Sequence, residues 1–219
     1  MIADDHRGPV IVLLAAGEGR RFGGIKQLVE LEGEPMCRRV ARLLLASGLP
    51  LVVVTGAHAD CVESALAGLP LLIARHGSWT RGLGRSIAHG ARRVQRDFPR
   101  TSGVLLCLAD QPLLDAAHLQ RLLALHREAP DRILATRHDG IGGPPVLFPA
   151  ACLDELAGCD GPDGARRLLE RDGRRVDYLE VAEHPDVDTP DDLRHVRDRL
   201  AAHHPPQASA VPPATRTEE

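Results

Sequence analysis

The sequence predicts an α/β fold, a single-domain, doubly wound and mostly parallel sheet, and three observations predict it. Short, wholly apolar runs recur along the chain, amphipathic helical segments separate them, and the alternation holds from residue 9 to about residue 136. An apolar run of strand length suits a strand buried on both faces, the condition of a parallel sheet covered by helices. With right-handed crossovers, ligands of such a sheet lie beyond the carboxyl ends of its strands.

Pro9 to Ala15 (PVIVLLA) is the first strand, β-branched and apolar, and glycines break it. From Pro35 to Ser47 apolar positions return at helical spacing, with Pro35 suited to a first turn and Gly48 and Pro50 as the stop. Leu51 to Thr55 is the next strand, His58 to Ala67 a helix, Leu71 to Ala74 a strand, and Leu83 to Arg96 a helix with Arg and His on its exposed side. Gly103 to Leu108 (GVLLCL) is again fully apolar, followed by the turn ADQP, a helix over Asp115 to Glu128 and a strand over Arg132 to Thr136. Past residue 137 come shorter pieces: a glycine-rich turn DGIGGPP, an apolar VLFP, a helix near Ala150 to Leu156, and GPDGARRLLE. These form a small excursion expected to help build an acceptor site. Val176 to Val181 is a late strand, and Thr189 caps a last helix to Ala202, with Pro190, Asp191 and Asp192 favouring its start. Residues 1–8 are read as an N-terminal extension, 9–202 as the domain, and 203–219 as a disordered tail.

Composition narrows the function classes. Hydrophobic residues at 43% and charged residues at 26% are those of a globular chain, and a formal net charge of -3 gives no basic footprint for nucleic acid. No stretch approaches a membrane span and the first residues lack the apolar core of a signal peptide, so the chain is read as cytoplasmic. Five scattered cysteines contain no C-x-x-C pair and are read as buried thiols. No H-E-x-x-H helix and no G-x-S-x-G elbow is present, which disfavours a zinc enzyme and acyl transfer. Among 27 basic residues there is one lysine, Lys26, and it lies in the glycine-rich loop, a site that wants a compact ammonium.

Two constellations carry chemistry. In the loop after the first strand, Gly17, Gly19, Gly23 and Gly24 let backbone amides approach an anion, while Arg21 and Lys26 add charge. A dinucleotide fingerprint would need glycine where Phe22 stands, and a Walker loop would need lysine where Ile25 stands. A phosphate cradle of another kind remains. The second constellation is Asp110, at the end of an apolar interior strand, together with Asp186 or Asp188, which alternate in HPDVDTPDDL. Magnesium takes one or two carboxylates plus substrate phosphates, so Asp110 and either partner would suffice.

These segments resemble the nucleotidyltransferases of molybdenum cofactor biosynthesis, specifically the cytidylyltransferases. LLAAGEGRRFGGIKQL, SWTRGLGRSIAHGARR, LLCLADQPLL and the stretch from GIGGPPVLFP through GARRLL to DVDTPDDL carry the likeness over roughly residues 9–197. Ala15, Ala16, Gly17, Arg21, Gly23 and Lys26 match the family's first motif, with Gly19 in place of a serine, and proline stands at 162 where aspartate is expected. The resemblance implies the Rossmann-like nucleotide-diphospho-sugar transferase fold. It implies a nucleotide-binding set of Leu14, Ala15, Ala16, Gly17, Gly19, Arg21, Lys26, Gly82, Ser86 and Asp110, catalytic roles for Arg21, Lys26 and Asp110, and magnesium on Asp110 and Asp188. The Ala-Ala-Gly start, through Ala16, favours CTP over GTP. CMP would pass to the phosphate of a molybdopterin-type cofactor, with a molybdoenzyme or its chaperone as the protein served. The alternatives are another small phosphate acceptor, such as a sugar phosphate, or a non-catalytic maturation factor.

Overall fold

The computed structural model describes residues 5–182 and 186–203. The chain opens with β1 (Val10–Ala15), a short hairpin of β2 (Glu30–Leu31) and β3 (Glu34–Pro35), α1 (Met36–Leu45), β4 (Leu51–Thr55), α2 (Ala59–Ala65), β5 (Leu72–Arg75), α3 (Leu83–Asp97) and β6 (Gly103–Leu108). It continues through α4 (Ala116–Glu128), β7 (Ile133–His138), β8 (Ile141–Pro149), α5 (Leu153–Ala157), α6 (Arg166–Arg171), β9 (Val176–Glu180) and α7 (Pro190–His203). The α/β class is as expected, with seven strands in one sheet in the order β5-β4-β1-β6-β8-β7-β9.

Pairing is parallel for β1 with β4, β1 with β6, β4 with β5 and β7 with β9. Only β8 runs antiparallel, between β6 and β7. The chain winds outward from β1 through β4 to β5, then crosses back to lay β6 on the other side of β1. The carboxyl ends of β1 and β6 therefore flank the switch point, where an open α/β sheet leaves a crevice.

Burial on both faces explains why β1 reads as an unbroken apolar run. Val10, Val12 and Leu14 pack toward α3 and α5, while Ile11, Leu13 and Ala15 pack toward α1 and α4. Each buried Val, Ile or Leu stabilises the fold by roughly 1.5–3 kcal/mol. A third cluster joins Leu31 of β2 and Met36 at the start of α1 to Val187, Leu193, Val196 and Leu200, docking α7 near the switch point.

Three expectations need correction. The glycine-rich stretch from Asp139 to Pro145 is not a turn: only Asp139 and Gly140 bend, with φ of 48° and 78°, and Ile141–Pro149 is one strand. The prolines are tolerated because β8 slips register there, pairing Gly143 with Thr136 and Val146 with Ala135, so Pro144 and Pro145 fall outside the ladder. His203 closes α7 rather than opening the tail, and residues 204–219 lie outside the described residues. Cys37, Cys107 and Cys152 are buried as expected, but Cys61 is exposed on α2. Among the described residues, no helix is long and apolar enough to cross a membrane.

Candidate functional site

The loop after β1 is pinned from several sides. The Ala57 N–H donates to the Ala16 carbonyl at 3.1 Å, and the buried Gln27 donates Nε2–H to the Gly17 carbonyl at 2.7 Å. Gly19 holds a left-handed φ of 72°, and a Cβ there would stand 2.7 Å from the Gly24 carbonyl oxygen. The loop can fold back on itself only with glycine at that point.

Lys26 emerges from this turn into the crevice. Its Nζ donates to Asp110 Oδ2 at 2.5 Å and to Asp188 Oδ1 at 2.8 Å, and Arg21 Nη2 donates to the other oxygen of Asp188 at 2.7 Å. Burial disfavours the ammonium charge, but the charges and hydrogen bonds of Asp110 and Asp188 outweigh it and hold the Lys26 pKa above its ordinary value.

The two aspartates arrive from distant parts of the chain. Asp110 follows β6, where the Ala109 N–H extends the ladder to the Leu14 carbonyl at 3.1 Å. The Val187 N–H donates to the Asp110 carbonyl at 2.9 Å, and because Val187 is fully buried, Asp186 and Asp188 on either side both reach the pocket. Asp192 then anchors the start of α7, accepting from the backbone of Asp188 at 3.0 Å and Thr189 at 2.7 Å, while Thr189 Oγ1 accepts from the Asp192 N–H at 3.3 Å. Thr189 is the cap the sequence predicts, in a reciprocal arrangement with an acid three residues on.

The crevice is a pocket of about 440 Å³. From the β1 loop it is lined by Leu14, Ala16, Gly17, Gly19 and Lys26, and from the facing elements by Gly82, Ser86, Asp110 and Asp188. Ala15, expected among the nucleotide-binding residues, does not line the pocket: its side chain is buried on the opposite face of the sheet, because alternation along β1 turns every second side chain away. Arg21 does not line the pocket, yet its guanidinium reaches in through Asp188. Ser86 is buried near the start of α3, 3.1 Å from His76 Nε2.

Trp79, Thr80 and Asp186 also line the pocket. The first two sit in a single 3-10 turn, Trp79–Arg81, just before α3, too short to show a period, and the sequence marks them only through the segment SWTRGLGRSIAHGARR that carries the family resemblance. Asp186 has much of its surface open to solvent, yet its carboxyl is walled by protein and accepts from Gln111 Nε2 at 2.8 Å. Burial first, then the Asp110 charge, raises its pKa to about 6.

Donor chemistry at the site suits a divalent ion shared with a ligand. Asp110 Oδ1 is buried without a hydrogen-bond partner. Among the described residues no group of three or more His, Cys, Asp or Glu converges to hold a metal alone. A pair of carboxylates with one unsatisfied oxygen matches the habit of magnesium, which completes its shell with phosphate and water.

Residues 11–176 match the model of the MobA-like NTP transferase domain. The chain is 31% identical over 202 residues to purine catabolism protein PucB of Bacillus subtilis, covering 85% of this chain and 94% of that one. It is 30% identical over 191 residues to nicotine blue oxidoreductase of Paenarthrobacter nicotinovorans, covering 81% and 91%. The crystal structure of Rv0371c from Mycobacterium tuberculosis in complex with manganese superposes with a TM-score of 0.73 at 26% identity, covering 88% of this chain and 99% of that one. The fold is that of the nucleotide-diphospho-sugar transferases, and the chain belongs to the MobA-like NTP transferase domain family.

Proposed function

We propose that the protein is a cytoplasmic cytidylyltransferase that moves CMP from CTP to the phosphate of a molybdopterin-type cofactor and releases pyrophosphate, in the service of a molybdoenzyme or its chaperone. The observation that carries this reading is the Lys26 ammonium held between Asp110 and Asp188 at the mouth of the β1–β6 switch point.

A nucleoside triphosphate brings negative charge to a crevice that offers backbone amides at Gly17 and Gly19, the Lys26 ammonium and the nearby Arg21 guanidinium. Lys26 would turn from the aspartates to the phosphates and neutralise charge that develops on the leaving pyrophosphate. Asp110 and Asp188 would hold magnesium, and Asp110 Oδ1 has a free lone pair for it. The bound ion would screen the triphosphate and orient it for displacement. The manganese in the Rv0371c complex supports a divalent ion in this fold.

An oxygen of the acceptor phosphate attacks the α-phosphorus, the bond from that phosphorus to the β-phosphate oxygen breaks, and pyrophosphate leaves. A phosphate monoester has its second pKa near ~6, so it is largely ionised at neutral pH and needs no dedicated base. The histidine that touches the pocket serine, His76, is accordingly a positioning group for Ser86. Ala16, buried at the pocket wall, favours cytosine by resemblance to the cytidine-using branch. A dinucleotide loop of the G-x-G-x-x-G kind lacks its third glycine here, since Phe22 occupies that position.

The test is pyrophosphate release with molybdopterin and each of the four nucleoside triphosphates. CTP is expected to lead in kcat/KM by at least about tenfold, a difference of about 1.4 kcal/mol in transition-state binding. Near-normal turnover by both Lys26→Ala and Asp110→Ala would overturn the mechanism.

A further inference from the structure

Away from the switch-point crevice, α3 carries His89, Arg92, Arg93 and Arg96 at spacings of three and four residues, which set all four on one face of the helix. Arg75, the last residue of the edge strand β5, faces them, and the five side chains enclose a cavity of about 330 Å³ with the buried Ala74 at its floor. Like charges at such spacings destabilise a helix, so the stability of α3 itself gives no account of the row.

The guanidinium groups are aimed by partners that leave charge over. Arg93 Nη1 donates to the Ile73 carbonyl at 2.8 Å and Arg92 Nη2 to the Ala157 carbonyl of α5, neutral acceptors that fix direction only. Among the described residues, ion pairs bring three carboxylates to the four arginines: Asp60 and Glu63 to Arg75, and Asp97 to both Arg93 and Arg96. The cluster keeps an excess of positive charge, and none of the residues lining the cavity is acidic. Its walls offer planar N–H forks, which match phosphate oxygens, and no apolar face for a base or ring system beyond the one methyl of Ala74.

A short path joins this cavity to the nucleotide pocket. His89 stacks on His76 with ring centroids 5.0 Å apart and planes 22° apart, and His76 Nε2 lies 3.1 Å from Oγ of Ser86, which lines that pocket. Burial and then the Arg92 charge hold the His89 pKa below the ordinary histidine value, so the field of the arginines reaches the ring.

We propose that the cavity between β5 and α3 binds a compact phosphate-type anion, and that its occupancy tightens nucleotide binding by fixing the His89–His76 stack and, through it, Ser86. An anion that orders the stack spares the nucleotide that ordering, and by reciprocity the nucleotide tightens the anion. The coupling rests on the nucleotide reading of the switch-point pocket; the anion site does not.

The experiment is a calorimetric titration of the intact protein with inorganic phosphate in the presence of saturating CTP, which keeps phosphate out of the nucleotide pocket. Saturable binding is expected, weakened at least about tenfold by Arg92→Gln/Arg96→Gln and less by Arg96→Gln alone, both positions being exposed so that folding is kept. In the converse titration, phosphate is expected to tighten CTP about fivefold in the wild type and to leave it unchanged in His89→Gln, which still binds phosphate. Loss of all phosphate binding on addition of CTP, or equal binding by the double variant, would overturn the site. Phosphate that weakens CTP, or that tightens it equally in His89→Gln, would overturn the coupling. Pyrophosphate is titrated alongside: binding tighter than that of phosphate through the same arginines assigns the site to the reaction's own product, and weaker binding assigns it to free phosphate. Absence of CTP binding by the wild type, with arginine-dependent phosphate binding intact, would remove the nucleotide reading and the coupling with it, and leave the anion site standing.

Discussion

Lys26 Nζ lies 2.5 Å from Asp110 Oδ2 and 2.8 Å from Asp188 Oδ1, so one ammonium occupies the space between the two carboxylates proposed to share a divalent ion. Two carboxylates this close need a cation between them, and lysine and metal compete for the same pair of carboxylates.

Removal of the ammonium should therefore improve metal binding while it destroys turnover. For Lys26→Met, manganese affinity without nucleotide, read by calorimetry, is expected to rise about tenfold or more over the wild type, while pyrophosphate release falls at least ~100-fold. Weaker manganese binding in the variant would refute the competition.

Asp110→Asn tests the other side of the pair. It keeps shape and removes charge, so turnover is expected to fall by roughly 10²–10³, with thermal stability little changed. Manganese binding should be lost with it.

Gly19 stands where the resembling family has serine, and here its φ is 72° with the Gly24 carbonyl oxygen directly opposite. Gly19→Ser should cost at least about 1–2 kcal/mol in denaturant unfolding, because an L side chain is disfavoured in left-handed backbone. The KM for nucleotide should rise in the same variant as the loop opens.

Acid sensitivity should come from α4. His118 is buried with Nε2 2.7 Å from Thr136 Oγ1, and because Thr136 donates its own proton to the Pro145 carbonyl, His118 donates through Nε2 as a neutral ring. Burial holds the pKa of both His118 and His126 below the 6.5 of a free histidine. The unfolded chain then binds more protons, so this stability is complete above pH 6.5 and is lost as pH falls through the depressed folded values. The expected result is a melting temperature that declines from pH 7 to pH 5, with a shallower decline in His118→Gln.

The sequence reveals most where one local rule acts alone. β1 and β6 read directly because burial on both faces leaves no polar position, and Thr189 reads as a cap because an acid follows three residues later. β8 does not, since two prolines forbid a ladder until the slipped register with β7 is known. The two-residue strands β2 and β3 are too short to show any period, yet they dock α7 and so position Asp188. Lys26, Asp110 and Asp188 could be named as candidates from residue type, but only the pairing of Val187 with Asp110 reveals that both acids meet one lysine.

The central claim is transfer of a nucleotidyl group, and the fate of the α-phosphorus tests it most directly. With CTP labelled at the α-phosphate, divalent ion and molybdopterin, the label is expected in a cytosine dinucleotide form of the cofactor, in step with pyrophosphate release. Label that stays in CTP, while the protein binds CTP and the cofactor is intact, would contradict it.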